Sequence, residues 1–176
     1  MKKVALLAIT LGVAGMMTFI TSCKKSDSSS SATAMTLYDT LGGTTMVADP
    51  TNPSAMIEKG RLGIRSVVDS TIFVIAADTA INGYFTVLLS EVTSGNTTGF
   101  EALSKNLTDF FCVATGAKDF TYVGKSMTAA QEPAQNSRSK MKVASDDFDA
   151  FVGDLVIGAK KNGLSDAVIA RVGAVV

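Results

Sequence analysis

The chain has 176 residues, of which 47% are hydrophobic, enough for one domain with a hydrophobic core. It contains 16 basic and 16 acidic residues and no histidine. Without a clustered basic surplus, the composition argues against binding to nucleic acid. Without histidine, the common serine–histidine and cysteine–histidine catalytic systems are excluded, so no enzymatic activity is expected.

The first 22 residues have the three parts of a bacterial export signal. Lys2 and Lys3 form a positively charged start, and residues 4–20 are uncharged. The sequence Ile20-Thr21-Ser22-Cys23 then resembles a lipobox, in which the cysteine receives lipid. This pattern predicts a signal peptide at residues 1–22 and an acylated Cys23 that anchors the protein to a lipid bilayer of the cell envelope, in the periplasm or at the outer membrane. An uncleaved membrane anchor is the alternative interpretation.

A serine-rich stretch follows the predicted lipidation site. Residues 24–34 lack an apolar pattern, so residues 23–35 are predicted to comprise the lipidated cysteine and a flexible tether. The domain is then predicted at residues 36–176. Removal of residues 1–22 takes away two lysines and no acids, which gives the remaining chain a net charge near −2.

Apolar residues of the domain recur at helical spacing, and no segment alternates convincingly with a period of two. The prediction is therefore an all-α fold. The clearest apolar face belongs to a helix with Ile64, Val67, Val68, Thr71, Ile72 and Ile75. Helix starts are predicted at Thr36 with Asp39, Thr98 with Glu101, Ser126, Ser145 and Ser165. Helix ends are predicted at Gly42-Gly43, Gly116, Pro133 and Asn162-Gly163, and a loop at Asp49-Pro50 and Asn52-Pro53.

Several segments in the right order resemble the group 1 truncated haemoglobins. They are LYDTLGG at residues 37–43, VVD at 67–69, YF at 84–85, YVGKSM at 122–127, DFDA at 147–150 with the helix that follows, and residues 168–176. The similarity covers most of residues 36–176, with insertions at about residues 47–63 and 91–99 and a third at 133–140. The resemblance implies a two-over-two sandwich of antiparallel helices around haem, with oxygen or another small gas as ligand.

The resemblance also implies the positions that would line a haem pocket. They are Ile72, Phe85, Leu103, Leu107, Phe111, Tyr122, Lys125, Met127 and Gln131. Gln131 stands where the family has its iron-binding histidine, and Ile72 stands where the family often has a tyrosine that donates a hydrogen bond to bound oxygen. Met127 or Gln131 would have to serve as the metal ligand, and Lys125 would lie where it could pair with a haem propionate.

The missing histidine leaves two interpretations of function open within this resemblance, and a third is that the chain is an unrelated helical lipoprotein whose similarity to the family is accidental. A neutral imidazole nitrogen suits haem iron, whereas a glutamine offers only an amide oxygen. The first interpretation is a membrane-anchored protein of haem- and oxygen-binding lineage with an unusual axial ligand. The second is a haem-free globin fold that serves as an interaction or sensor module, with an unidentified protein partner. Cys112 lies in an apolar run and is predicted to be a buried, inert thiol.

Overall fold

The computed structural model describes residues 35–134 and 141–176. The predicted signal peptide, Cys23 and the tether up to residue 34 lie outside the described residues, as does most of the third predicted insertion. Within the described part, helices predominate, and the prediction of a mainly helical domain is confirmed. In chain order, the elements are α1 (Leu37–Thr40), β1 (Met46–Asp49), β2 (Asn52–Glu58), α2 (Lys59–Ala77), a 3₁₀ turn (Asn82–Phe85), α3 (Thr86–Thr93), α4 (Thr98–Ala114), α5 (Met127–Gln131), α6 (Ser145–Lys161) and α7 (Asp166–Gly173).

A β-hairpin at residues 46–58 contradicts the all-α prediction. Strands β1 and β2 pair antiparallel, with Val47 opposite Ile57 and Met46 opposite Glu58. Ile57 is buried on one face, but Met46 and Met56 lie more than half exposed on the other. Because apolar side chains occupy both faces, the sequence lacks the alternation that predicts a strand.

The predicted loop at residues 49–53 covers the turn of this hairpin and the start of β2. The carboxylate of Asp49 accepts hydrogen bonds from the backbone N–H of Thr51 at 2.9 Å and from its hydroxyl at 2.8 Å. The same carboxylate receives two hydrogen bonds from Arg65 of α2, at 2.7 and 3.2 Å. The hydrogen bonds from Arg65 and Thr51 hold the pKa of Asp49 well below its usual range. The tip of the hairpin is thereby fastened to α2.

Helix α2 packs against both α4 and α6 and forms the centre of the core. The apolar face predicted from helical spacing is confirmed, since Ile64, Val67, Val68, Ile72 and Ile75 are all buried. Helices α2 and α6 come close together at Gly158. A Cβ atom on Gly158 would lie 2.3 Å from the Oγ1 atom of Thr71 and 2.9 Å from its backbone nitrogen. Only glycine permits this spacing of the two helices. The two-over-two sandwich implied by the resemblance stays a prediction.

The predicted helix starts are correct in some places and displaced by one residue in others. Thr36 and Asp39 form a reciprocal capping box, and Ser126 accepts a hydrogen bond from the N–H of Ala129. The predicted box of Thr98 and Glu101 is wrong, because α4 begins at Thr98 itself and Asn96 accepts the Thr98 N–H at 3.1 Å. Helix α6 likewise includes Ser145 as its first residue instead of using it as a cap.

Within the described residues, no single helix is long and apolar enough to cross a membrane. The segments Lys59–Ala77 and Asn82–Thr93 meet that test of length and composition only when taken together. They are bent by 109° relative to each other.

Candidate functional site

A cavity of about 370 Å³ lies between α2, the 3₁₀ turn with α3, α4 and α6. Most of its wall is apolar. The apolar residues that line it are Ile72, Ile75, Ile81, Phe85, Val87, Leu88, Gly99, Ala102, Leu103, Leu107, Ala130, Met141, Val143, Phe148 and Phe151. Ligand sites in proteins commonly have volumes of about 300–1,000 Å³ and mainly apolar walls, so the cavity has the size and character of a small-molecule site.

Helical spacing explains how these side chains reach one space. Leu103 and Leu107 are one turn apart on α4, as are Phe148 and Phe151 on α6, so each pair projects from one face of its helix. The two phenylalanine rings lie 5.9 Å apart between centroids. Gly99 and Ala102 also line the cavity from α4, and their small size leaves the space open.

A polar group lies at the side of the cavity where α6 begins. The hydroxyl of Tyr84 donates a hydrogen bond to the Oδ2 atom of Asp147 at 2.6 Å and lies 3.1 Å from the carbonyl oxygen of Lys142. Oδ2 also accepts the N–H of Ala144 at 2.8 Å. The hydrogen bonds from Tyr84 and Ala144 lower the pKa of Asp147, and the bond to Asp147 raises the pKa of Tyr84. Asp147 is therefore ionised at neutral pH.

Asp147 is the only charged side chain among the described residues that line the cavity. Asn106 of α4 adds a neutral amide to the same wall. No hydrogen bond joins this amide to another of the described residues, so its donor and acceptor are available to a ligand or to solvent. The cavity thus combines a long apolar wall with a small number of polar groups.

The positions implied by the family resemblance are only partly brought together. Ile72, Phe85, Leu103 and Leu107 line the cavity. Phe111 does not, because it lies beyond the end of the cavity along α4 and packs in the main core.

Two further positions lie in the loop before α5, away from the cavity wall. The ring of Tyr122 packs against Phe110 at 5.6 Å, and its hydroxyl donates to the carbonyl oxygen of Lys125 at 2.6 Å. The side chain of Lys125 is exposed.

Met127 and Gln131 are the first and last residues of α5, and their side chains lie outside the described part of the structure. The helix itself borders the cavity, because Ala130 contributes to its wall. That Met127 or Gln131 binds iron therefore stays a prediction.

Sequence reasoning did not single out the Tyr84–Asp147 pair as part of a site. In the sequence, Tyr84 stands out only within the aromatic pair at residues 84–85, and Asp147 only within the segment DFDA at residues 147–150. Asp147 also caps the start of α6, since its carboxylate accepts the N–H of Ala144. The two residues are separated by 63 positions in the sequence, and a local sequence pattern does not predict a contact over that separation.

The site offers few groups of the kind that bind metals. The described residues contain no cluster of three or more cysteine, aspartate or glutamate side chains that could hold a metal ion. Cys112 is fully buried in the core, as predicted, and burial raises its pKa to about 11.

No protein-family model matches the chain, and no match is found among curated proteins.

Proposed function

We propose that this chain is a lipid-anchored protein of the bacterial cell envelope whose truncated-globin-like domain binds a small apolar molecule as a sensor or interaction module. The cavity of about 370 Å³ between α2, α3, α4 and α6 is the observation that carries this proposal. A binding role suits this wall, because all of its described lining residues except Tyr84, Asn106 and Asp147 are apolar.

The size of the cavity favours a ligand smaller than haem. An engineered apolar cavity of about 150 Å³ holds one benzene ring, so by the ratio of volumes this cavity holds about 15 non-hydrogen atoms, against about 24 in a porphyrin ring alone. Its only charged lining side chain in the described part is a carboxylate, which would repel the propionates of haem instead of pairing with them.

A titration with butylbenzene tests the proposal. We expect saturable binding to the full-length chain, measured by calorimetry against empty lipid nanodiscs as the reference for partitioning. Ala102→Phe should abolish binding, because the added ring would fill the cavity from α4. The matched control is Ala114→Phe, at an exposed position of the same helix that does not line the cavity; it should bind like the unchanged chain. Equal binding by both variants would place the ligand elsewhere.

A second candidate is a haem protein with an unusual axial ligand. It is favoured by one observation, that α5 borders the cavity through Ala130 and carries Met127 and Gln131 at its two ends. Addition of haem should then produce a Soret band that shifts or disappears in Met127→Ala or Gln131→Ala. The absence of a Soret band in the unchanged chain would eliminate this candidate.

A further inference from the structure

We propose that the cavity selects a compact amphiphile that has one hydrogen-bond-donating group and no negative charge. This inference rests on the proposed function, because it names the chemical class of the ligand for the same cavity. Three side chains carry it: Asp147, Tyr84 and Asn106, which are the polar members of an otherwise apolar wall.

Asp147 has capacity to accept a further hydrogen bond. Its Oδ2 atom accepts from Tyr84 and from the N–H of Ala144, while no donor among the described residues reaches Oδ1. An ionised carboxylate accepts about four hydrogen bonds, so a donor on a ligand has a place to bind. The single proton of the Tyr84 hydroxyl is already committed to the carboxylate at 2.6 Å, so this pair presents acceptors and not donors to the cavity.

Asn106 complements this acceptor from α4. Its amide can donate to a hydroxyl or ether oxygen of the ligand and can accept from its hydroxyl. A hydroxyl group would therefore be able to donate to Asp147 and accept from Asn106 at the same time. The apolar body of such a ligand would bury its surface against the leucines of α4 and the phenylalanines of α6, which is favourable by the hydrophobic effect.

The same carboxylate excludes anionic amphiphiles such as fatty acids. A second carboxylate in the cavity would lie near the ionised side chain of Asp147, and the two like charges would repel each other. Among the described residues that line the cavity, no lysine or arginine neutralises it. Selection against anions and selection for donors thus have one physical origin.

Three probes with the same apolar body separate these effects: para-butylbenzyl alcohol, its methyl ether, and para-butylbenzoate. Each is titrated calorimetrically into the full-length chain in phosphatidylcholine nanodiscs, with empty nanodiscs as reference. We expect the alcohol to bind about tenfold or more tightly than the methyl ether, which cannot donate, because a hydrogen bond to a charged acceptor contributes about that much. The benzoate should bind about tenfold or more weakly than the alcohol.

The decisive variant is Asp147→Asn, which removes the charge but keeps an oxygen that can cap the N–H of Ala144. This variant should reduce the ratio of the dissociation constants of the benzoate and the alcohol by about fivefold or more. Asp146→Asn is the matched control, since Asp146 is the neighbouring acid of α6 but is exposed and does not line the cavity; it should change neither affinity. Tyr84→Phe, which keeps the ring and the carboxylate, should preserve the selection against benzoate.

The outcomes distinguish this inference from the proposed function. If butylbenzene and all three probes bind equally and Asp147→Asn changes nothing, the cavity binds apolar molecules but the inference about the polar group is overturned. If no probe binds and butylbenzene does not bind either, both are overturned. If Asp147→Asn loses its helical circular dichroism signal, Asn106→Leu is tested in its place. This variant should reduce the affinity for the alcohol and leave the affinity for butylbenzene unchanged. An unchanged affinity for the alcohol would overturn the inference.

Discussion

Gly158 determines how closely α2 and α6 can pack, and its replacement by alanine tests this directly. The new Cβ atom would lie 2.3 Å from the Oγ1 atom of Thr71, 2.9 Å from its backbone nitrogen and 3.1 Å from its Cα atom. A side-chain rotation of Thr71 could relieve only the first of these contacts, so the two helices would have to separate. Because both helices line the cavity, its shape would change as well.

The magnitude follows from two opposing effects. Overpacking of a well-packed contact costs about 1–3 kcal/mol, and contact with backbone atoms favours the upper part of that range. Alanine in place of glycine within a helix contributes about 1 kcal/mol in the other direction. We expect Gly158→Ala to lower the free energy of unfolding by about 1–2 kcal/mol.

Gly153 provides the matched control in the same helix. A Cβ atom there would have no atom of the described part of the chain within 4 Å, so Gly153→Ala should raise the free energy of unfolding by about 0.5–1 kcal/mol. Urea denaturation followed by circular dichroism measures both variants. The double variant Thr71→Ala/Gly158→Ala should be less destabilised than the sum of its parts, because Oγ1 is gone. If Gly158→Ala were as stable as Gly153→Ala, the close approach of α2 and α6 would be refuted.

Three further predictions concern ionisable groups. Asp154 is buried in α6, and its Oδ2 atom has no hydrogen-bond partner among the described residues. Burial, and then the nearby charge of Asp78, raise the pKa of Asp154, so its ionisation lowers the stability of the fold as pH rises above about 4. Asp154→Asn should therefore gain stability relative to the unchanged chain between pH 4 and pH 7 in urea denaturation. Arg65→Met should lose stability at neutral pH, and the loss should shrink as pH falls below about 4, because Asp49 is then protonated in the unfolded chain while its depressed pKa still keeps it ionised in the fold. Cys112 should resist alkylation at pH 7 unless urea is added, as peptide mass spectrometry can establish.

Local patterns predicted the helices and several of their ends well. The capping box of Thr36 and Asp39 and the stop at Gly163, which has a φ of +75°, both depend on residues within one turn of each other. The buried face of α2 likewise follows from spacing along one helix. Such features need no knowledge of the rest of the fold.

The features that were missed are the hairpin, which involves a tertiary contact, and the start of α4, which involves a local one. The hairpin at residues 46–58 was not predicted, because one of its faces carries exposed methionines and its stability draws on the ion pair between Asp49 and Arg65, which lie 16 positions apart. The displaced start of α4 arose because Asn96, and not Thr98, supplies the acceptor for the first turn. In each case a competing polar contact outside the expected pattern decides the local structure.

The cavity brings together some of the positions that the proposed resemblance to truncated haemoglobins implies. Four positions implied by the resemblance, Ile72, Phe85, Leu103 and Leu107, line one space, although nothing in their local sequence indicates that they meet. An iron ligand is the least replaceable part of a haem site, because coordination needs a specific electron-pair donor, whereas an apolar wall binds any molecule of suitable size.

In the proposed function, the absence of a histidine removes the usual iron ligand, whereas the apolar wall of the cavity would still bind a smaller molecule. The carboxylate of Asp147 at the edge of the cavity would then favour ligands that donate a hydrogen bond over ligands that carry a negative charge.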